Sequence, residues 1–501
     1  MKILIRTDAS STIGLGHVSR CLTLARALLA SIPGIEIHFA CSELPGNFVD
    51  GVLAQGFYVI SLPGQYPVFD GGAEIQSELA ILAAHLTSRY DWCIVDHYGL
   101  GRVWESAMRQ HAERILVIDD LCNRPHDADI VLNQNLAVVP ADYLGQVPAD
   151  CRCLTGPKYA LLRPEFTGEV IAIKPGIERI LVNFGGADPT REMFKVIEAL
   201  VSLPPVSVDF VAGASNPAFG ELQARVATCE HWSLHRHVED FAGLMRQADL
   251  FIGAAGSSSW ERAAMGLPSV AIAVAENQLP NAQGLARLGA HAYLGCAAEV
   301  SPEQITGQLR GIDWQQRQDW ARISHQLVDA KGCERVIAAL LLPGLQIRRV
   351  EQADSKLLFD ARNSPEIREV SLNSEPISWE GHCAWLERCL ANPHCILLLA
   401  DAADGPVGVV RFDRADDLAE IADISIYLLP HRLGLGWGSG VLAAAQAFMQ
   451  TQWLQVSRIR AVIKNDNQAS LALFRQAGFR LQSTEPTGSI YICAIKGIDL
   501  E

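Results

Sequence analysis

KILIRT at residues 2–7, GLGHVSR at residues 14–20 and the apolar positions Cys21, Leu22, Leu24, Ala25, Leu28 and Leu29 decide the architecture of the start of the chain. The hexapeptide has the length and character of a buried strand. The later apolar positions recur at the three-to-four-residue spacing of one helix face. Strand, glycine turn and helix in that order make the first α/β unit. Further apolar runs at 36–40, 92–95, 115–118 and 130–132 alternate with helical segments, which predicts a parallel sheet covered on both faces. A second series runs through 180–186, 206–211, 250–253 and 269–274, so a second doubly wound lobe follows. After Pro343 and Gly344 the order changes to a strand at 346–350, helices, strands at 395–400, 407–412 and 421–429, and helices interrupted by a strand at 458–463. The expected fold class is α/β: two Rossmann-like lobes, residues 1–165 and 176–343, followed by an α+β domain, residues 346–501. Pro164–Pro175 is the expected hinge.

A length of 501 residues exceeds one ordinary core, and 49% hydrophobic against 19% charged residues predicts a chain folded nearly throughout. The net charge of −15 argues against a nucleic-acid-binding surface, while leaving room for a local phosphate pocket. The first residues carry no apolar leader and no apolar run approaches the roughly 20 residues of a membrane span, so no membrane partner and a cytoplasmic location are expected. Thirteen cysteines without a Cys-x-x-Cys pair read as reduced thiols. His231, His235 and His237 lack companion acids or thiols at ligand spacing, so no metal is expected.

Gly14 and Gly16 sit where a strand hands over to a helix, where backbone N–H groups and the positive helix end favour an anion. His17, at the mouth of that loop, has the chemistry to take a proton from water at neutral pH. In the second lobe, GAAGSSSWERAAMGLP at 253–268 sets Gly256, Ser257 and Ser258 as donors to a pyrophosphate at a helix start. Glu261 on the first turn is then placed to hold ribose hydroxyls. The same residues also suit plain structure, with Ser259 as helix cap and Glu261 as dipole partner.

Gly256, Glu261, Gly266 and Pro268, with Asn277, Gln278 and Asn281, resemble the donor-nucleotide signature of GT-B-fold glycosyltransferases. More narrowly, GLGHVSR at 14–20, VDHY at 95–98, IDD at 118–120, NQN at 133–135, GPKYALLR at 156–163 and NFGGAD at 183–188 resemble the UDP-sugar hydrolases of pseudaminic acid biosynthesis, over roughly residues 1–343. That resemblance implies metal-independent, inverting hydrolysis of UDP-2,4-diacetamido-2,4,6-trideoxy-β-L-altropyranose to free sugar and UDP. His17 matches the catalytic histidine. Gly185 and Gly186 would help stabilise the departing diphosphate. Asp96, Tyr98, Asn183, Glu276 and Asn277 are candidate sugar contacts, with strand-end hydrogen bonding as the alternative for each.

DISIYLLPHRLGLGWGSGVL at 423–442 is strand, glycine loop and helix, a loop whose successive N–H groups suit the pyrophosphate of coenzyme A. With NDNQASLALFRQAGF at 465–479 it resembles the GNAT acetyltransferases over about 155 residues, and the co-substrate implied is acetyl-CoA. Leu428, Arg432, Leu433, Gly434, Gly436, Trp437, Gly438, Ser439, Asn465, Ser470 and Phe474 are the expected contacts. Two departures stand out: Arg432 is one residue off the usual basic position, and Phe474 stands where many members carry a tyrosine general acid, leaving Tyr427 and Tyr491 as substitutes. Asp423 and Glu420 are expected to take the proton of the acceptor amine. Residues 362–385 resemble the amino-sugar-modifying branch, which implies UDP-4-amino-4,6-dideoxy-N-acetyl-β-L-altrosamine as acceptor. The competing reading is a true glycosyltransferase joined to a GNAT that acts on another amine or a protein N-terminus.

Overall fold

The computed structural model describes residues 1–64, 73–86, 88–186, 188–213, 216–236, 238–416 and 419–495. By its contacts the chain divides into two compact units, Met1–Ala30 with Gly34–Cys333, and Ser31–Pro33 with Glu334–Glu501. The division falls ahead of Pro343 and Gly344, because most of the helix Gly332–Leu341 goes with the second unit.

The first unit holds two parallel sheets. One is built from β1 (Lys2–Thr7), β2 (Glu36–Ser42), β3 (Tyr58–Leu62), β4 (Tyr90–Asp96), β5 (Ala112–Ile118), β6 (Ile130–Asn133) and β7 (Arg152–Thr155), in the order β3-β2-β1-β4-β5-β6-β7. The other contains β8 (Arg179–Asn183), β9 (Ser207–Val211), β10 (Trp232–His235), β11 (Leu250–Ala254), β12 (Ser269–Ala273) and β13 (Ala292–Cys296), in the order β10-β9-β8-β11-β12-β13. Ile3, Leu4 and Ile5 on β1 and Leu250, Phe251 and Ile252 on β11 have no exposed surface, as strands covered on both faces require. In each sheet the winding reverses beside the first strand, between β1 and β4 and between β8 and β11. Such reversals open a crevice at the carboxyl ends of the strands, where ligands of open α/β sheets bind. Asn281 ties the two lobes together: its Oδ1 accepts from the Leu136 N–H at 2.9 Å and its Nδ2 donates to Asn135 Oδ1 at 2.7 Å.

The second unit is one mixed sheet of β14 (Gln346–Arg349), β15 (Cys395–Ala402), β16 (Gly405–Arg414), β17 (Ile421–Leu428), β18 (Arg458–Ile463), β19 (Arg480–Glu485) and β20 (Gly488–Ala494), ordered β14-β15-β16-β17-β18-β20-β19. Every pair is antiparallel except β17 with β18, which pair in parallel only from Ile421 opposite Arg458 to Ile424 opposite Ala461. Beyond that point the two strands part, leaving backbone from Ser425 onward unpaired on that edge. Among the described residues no helix is long and apolar enough to cross a membrane.

Candidate active sites

The first site lies at the reversal between β1 and β4. After β1 the chain turns tightly: the Gly14 N–H donates to the Ser10 carbonyl at 2.9 Å, the Ile13 N–H donates to Ser10 Oγ at 3.0 Å, and Gly14 takes φ +78°. That left-handed backbone strongly favours glycine. The turn delivers the helix Gly16–Ser31 with His17 on its first turn. His17 Nδ1 meets Asp96 Oδ1, at the end of β4, at 2.5 Å. Arg20, one turn further along, grips the same carboxylate through Nε and a terminal nitrogen, each at 2.6 Å, and reaches Asp120 at 2.8 and 2.9 Å. The Tyr98 ring stands edge-on to His17 with centroids 4.5 Å apart, and its hydroxyl donates to Asp120 at 3.3 Å. Burial alone would raise the Asp96 pKa, but the charge of Arg20 and the hydrogen bonds from Arg20 and His17 outweigh it and hold the carboxyl well below the usual carboxylate range. His17 Nε2 makes no hydrogen bond with the described residues.

A second buried network braces the base of this site. Arg6, with no exposed surface, donates to Glu78 at 2.8 and 2.9 Å, to Asp8 at 2.6 Å and to Ser42 at 3.1 Å, while Asp8 also meets His97 Nε2 at 3.1 Å. The ends of β1, β2 and β4 are thereby locked together.

In the second lobe the candidates divide. The Asn183 amide donates to the Val211 carbonyl at 2.9 Å and its Oδ1 accepts from the Gly185 N–H at 3.2 Å. Both bonds shape the loop and are the strand-end hydrogen bonding weighed as the alternative to a sugar contact. Gly185 is at φ +84°, and Gly186 lies against Gly213, whose missing side chain would fall 2.5 Å from the Gly186 Cα. In the helix Ser258–Met265, Ser258 Oγ and Ser259 Oγ each accept from Arg262 at 3.0 Å. Ser257, at the helix start, makes no side-chain cap bond among the described residues, and Ser259 is not the cap. Gln278 Oε1 accepts from the Val274 N–H at 3.1 Å, and its amide nitrogen lies over Gly256, so it is partly engaged. Glu276 and Asn277, just after β12, are exposed. The side chain of Glu261 is 22% exposed, its nearest cation is Arg163 at 4.0 Å, and it has no hydrogen bond with the described residues. Burial, partly offset by Arg163, raises its pKa. A carboxylate enclosed but unbonded is an acceptor awaiting donors.

The second unit contains a cavity of about 1240 Å³ where β17 and β18 part. Leu428, Leu433, Gly434 and Gly436 line it. So do Gly438 and Ser439 at the start of the helix Gly438–Gln452, together with Ser470 and Phe474 from the helix Gln468–Gln476. Three expected contacts lie elsewhere. Arg432 is buried in an ion pair with Asp404 at 2.5 Å and bonds to the Pro406 and Asp404 carbonyls at 3.2 Å, which turns it away from any phosphate. Trp437 is a core residue at 1% exposure. Asn465 is spent on the Glu485 carbonyl and Ser489. The expected acids are also displaced: Asp423 is held by Arg460 at 2.5 and 2.8 Å and Glu420 faces Arg458 at 3.7 Å, both outside the cavity lining. Tyr491 lies outside too, its hydroxyl accepting from Arg475 at 2.9 Å, whereas Tyr427 lines the cavity. Glu366, on the first turn of the short helix Pro365–Val370, is the only carboxylate among the described lining residues.

The sequence model for the acetyltransferase (GNAT) domain matches residues 345–480. Over 290 residues, 58% of this chain and 97% of the relative, the chain is 30% identical to the UDP-2,4-diacetamido-2,4,6-trideoxy-β-L-altropyranose hydrolase of Campylobacter jejuni. The chain belongs to that hydrolase family. It is an enzyme that joins a family hydrolase to a GNAT acetyltransferase domain. An uncharacterized protein of Methanocaldococcus jannaschii is 24% identical over 96% of this chain and 97% of its own length, so both parts have counterparts in one other chain. The crystal structure of Acinetobacter baumannii MurG covers 68% of this chain and 99% of its own at a TM-score of 0.52 and 17% identity, in keeping with a GT-B-like fold for the hydrolase unit.

Within the hydrolase unit the sequence singled out His17 but not what holds it. Arg20 and Asp120 lie inside quoted motifs without an assigned role. Asp96, expected at the sugar, is wholly buried against His17 and Arg20. Of the three histidines weighed as ligands, His235 bonds to Asp209 at 2.8 Å, and His237 lies outside the described residues.

Proposed function

We propose that the hydrolase unit cleaves UDP-2,4-diacetamido-2,4,6-trideoxy-β-L-altropyranose, with His17 as general base. The observation that carries this reading is the histidine itself: one ring nitrogen fixed on a buried carboxylate, the other unbonded at the carboxyl-end crevice of a parallel sheet. In the reaction, water oxygen bonds to the anomeric carbon as the bond from that carbon to the diphosphate oxygen breaks. UDP leaves with the electron pair, and His17 Nε2 takes the water proton. Attack from the side opposite UDP inverts the anomeric centre. Glu261 accepts from the ribose hydroxyls, and the Gly256–Ser258 helix start receives the diphosphate. Family membership and the free Glu261 carboxylate support this assignment.

The GNAT domain, in the same reading, acetylates the 4-amine of UDP-4-amino-4,6-dideoxy-N-acetyl-β-L-altrosamine, producing the substrate of the hydrolase. The amine nitrogen bonds to the thioester carbonyl and coenzyme A leaves as thiolate. Glu366 is the lining group available to take the amine proton, directly or through water, and Tyr427 the one phenol available to protonate the thiolate. With Arg432 turned away, backbone N–H groups of residues 434–439 and the helix start carry the pyrophosphate.

Mass spectrometry of products from the UDP-4-amino sugar tests both steps. With acetyl-CoA, acetylated sugar and free UDP are expected. Without it, the amino sugar should persist. UDP release that requires an added sugar acceptor would instead establish a glycosyltransferase.

A further inference from the structure

We infer that Asp96, secured by Arg20 and Asp120, is the positioning residue that makes His17 a base. The inference rests on the reading of His17 just given. Asp96 has 1% of its surface exposed, so it touches no ligand and acts only through its neighbours. An ionised carboxylate only accepts hydrogen bonds, so its 2.5 Å contact requires the proton of neutral His17 to sit on Nδ1. Nε2 is then the lone pair that faces water. Without that partner the ring is free to take the other tautomer, which has no lone pair at Nε2 and cannot act as base there.

Arg20 explains how a carboxylate stays ionised in this interior. Two of its nitrogens hold Asp96 at 2.6 Å, and its remaining reach is fixed by Asp120 at 2.8 and 2.9 Å, itself held by the Tyr98 hydroxyl at 3.3 Å. The charges of this group also favour the chemistry. Asp96 and Asp120 are two anions and Arg20 one cation, so the cluster carries one excess negative charge while His17 is neutral. It becomes balanced when His17 takes the proton from water, which favours the imidazolium as the water becomes nucleophilic. A buried ion pair serving packing alone would need Arg20 and Asp96 but not the histidine at 2.5 Å.

The test uses the full chain labelled with 15N-histidine, with His17→Ala supplying the assignment of the His17 signals. Wild-type protein should show the Nδ1–H tautomer. Asp96→Asn should lose that preference and lower the kcat of UDP release a hundredfold or more, with KM and UDP affinity within about threefold of wild type. Arg20→Lys, which keeps the charge but not the two-pronged grip, should lower kcat about tenfold. Should Asp96→Asn fail to fold, the wild-type tautomer and Arg20→Lys decide. An Nε2–H tautomer in wild type, or wild-type kcat in Asp96→Asn or, failing it, in Arg20→Lys, overturns the proposal. Full activity of His17→Ala removes the general-base reading itself. Inactive His17→Ala beside active Asp96→Asn removes only the positioning role.

Discussion

The crevice that holds His17 and the cavity between β17 and β18 start from the same sequence device, an apolar strand running into a glycine loop and a helix, yet they are finished differently. Behind His17 stand two buried ionic networks, one through Asp96, Arg20 and Asp120 and one through Arg6, Asp8, Glu78 and His97. In the acetyltransferase cavity Arg432 pairs with Asp404 and Asp423 with Arg460, away from the lining, which mixes loop glycines and aliphatic side chains with one carboxylate, Glu366, and the cations Arg362, Arg411 and Lys464. A base must have one tautomer and one direction, which buried charges can impose. A long flexible thioester needs mainly backbone donors and apolar walls.

If that contrast is right, the largest effect belongs to His17. His17→Ala should cut UDP release by about a hundredfold or more while acetylation continues at the wild-type rate, measured on the same preparation. Equal loss of both activities would show that the two sites are not independent. Next comes Glu261→Gln, which should weaken UDP binding by roughly ten- to a hundredfold in calorimetry, the scale of hydrogen bonds to a charged group. Unchanged affinity would place the ribose elsewhere.

In the acetyltransferase the contrast is sharpened by pairs of variants. Glu366→Gln should slow acetyl transfer about tenfold or more at saturating acetyl-CoA, whereas Asp423→Asn should leave the rate within about twofold, because its carboxylate is spent on Arg460. The reverse ranking would return the proton to the strand acids. The smallest effect is expected from the tyrosines. Tyr427→Phe should reduce turnover severalfold, while Tyr491→Phe should cost only about 1 kcal/mol of unfolding free energy through its lost bond to Arg475, with turnover unchanged. Wild-type turnover in both would leave thiolate protonation to water.

How much was legible followed burial. The central strands β1, β4, β5, β8, β11 and β12 read directly from sequence because both faces are covered and their residues are continuously apolar. The strands passed over, β3, β7, β10, β13, β19 and β20, include all but one of the sheet-edge strands. β19 is exposed at every position and β10 has no fully buried residue, so neither carries an apolar run. The loops marked by glycine spacing were also legible, since Gly14, Gly185, Gly434 and Gly436 adopt left-handed backbone that few other residues tolerate. Glu366 had no such mark: it lies 68 residues before Gly434, the first glycine of the loop, and only the fold brings it to the cavity.

By itself the sequence determined the order of lobes and the two glycine loops, because hydrophobic periodicity and obligatory glycines are local consequences of the backbone. Tertiary structure alone decided which charge meets which. Asp96 is 79 residues from His17, and Glu78 is 72 from Arg6, and nothing local tells a strand-end carboxylate that faces a ligand from one that holds a histidine. Arg432 and Asp423 show the same limit from the other side. Each stands beside the right loop in sequence, but a partner 28 or 37 residues away draws its side chain out of the site, since an ion pair forms through space and is blind to position along the chain.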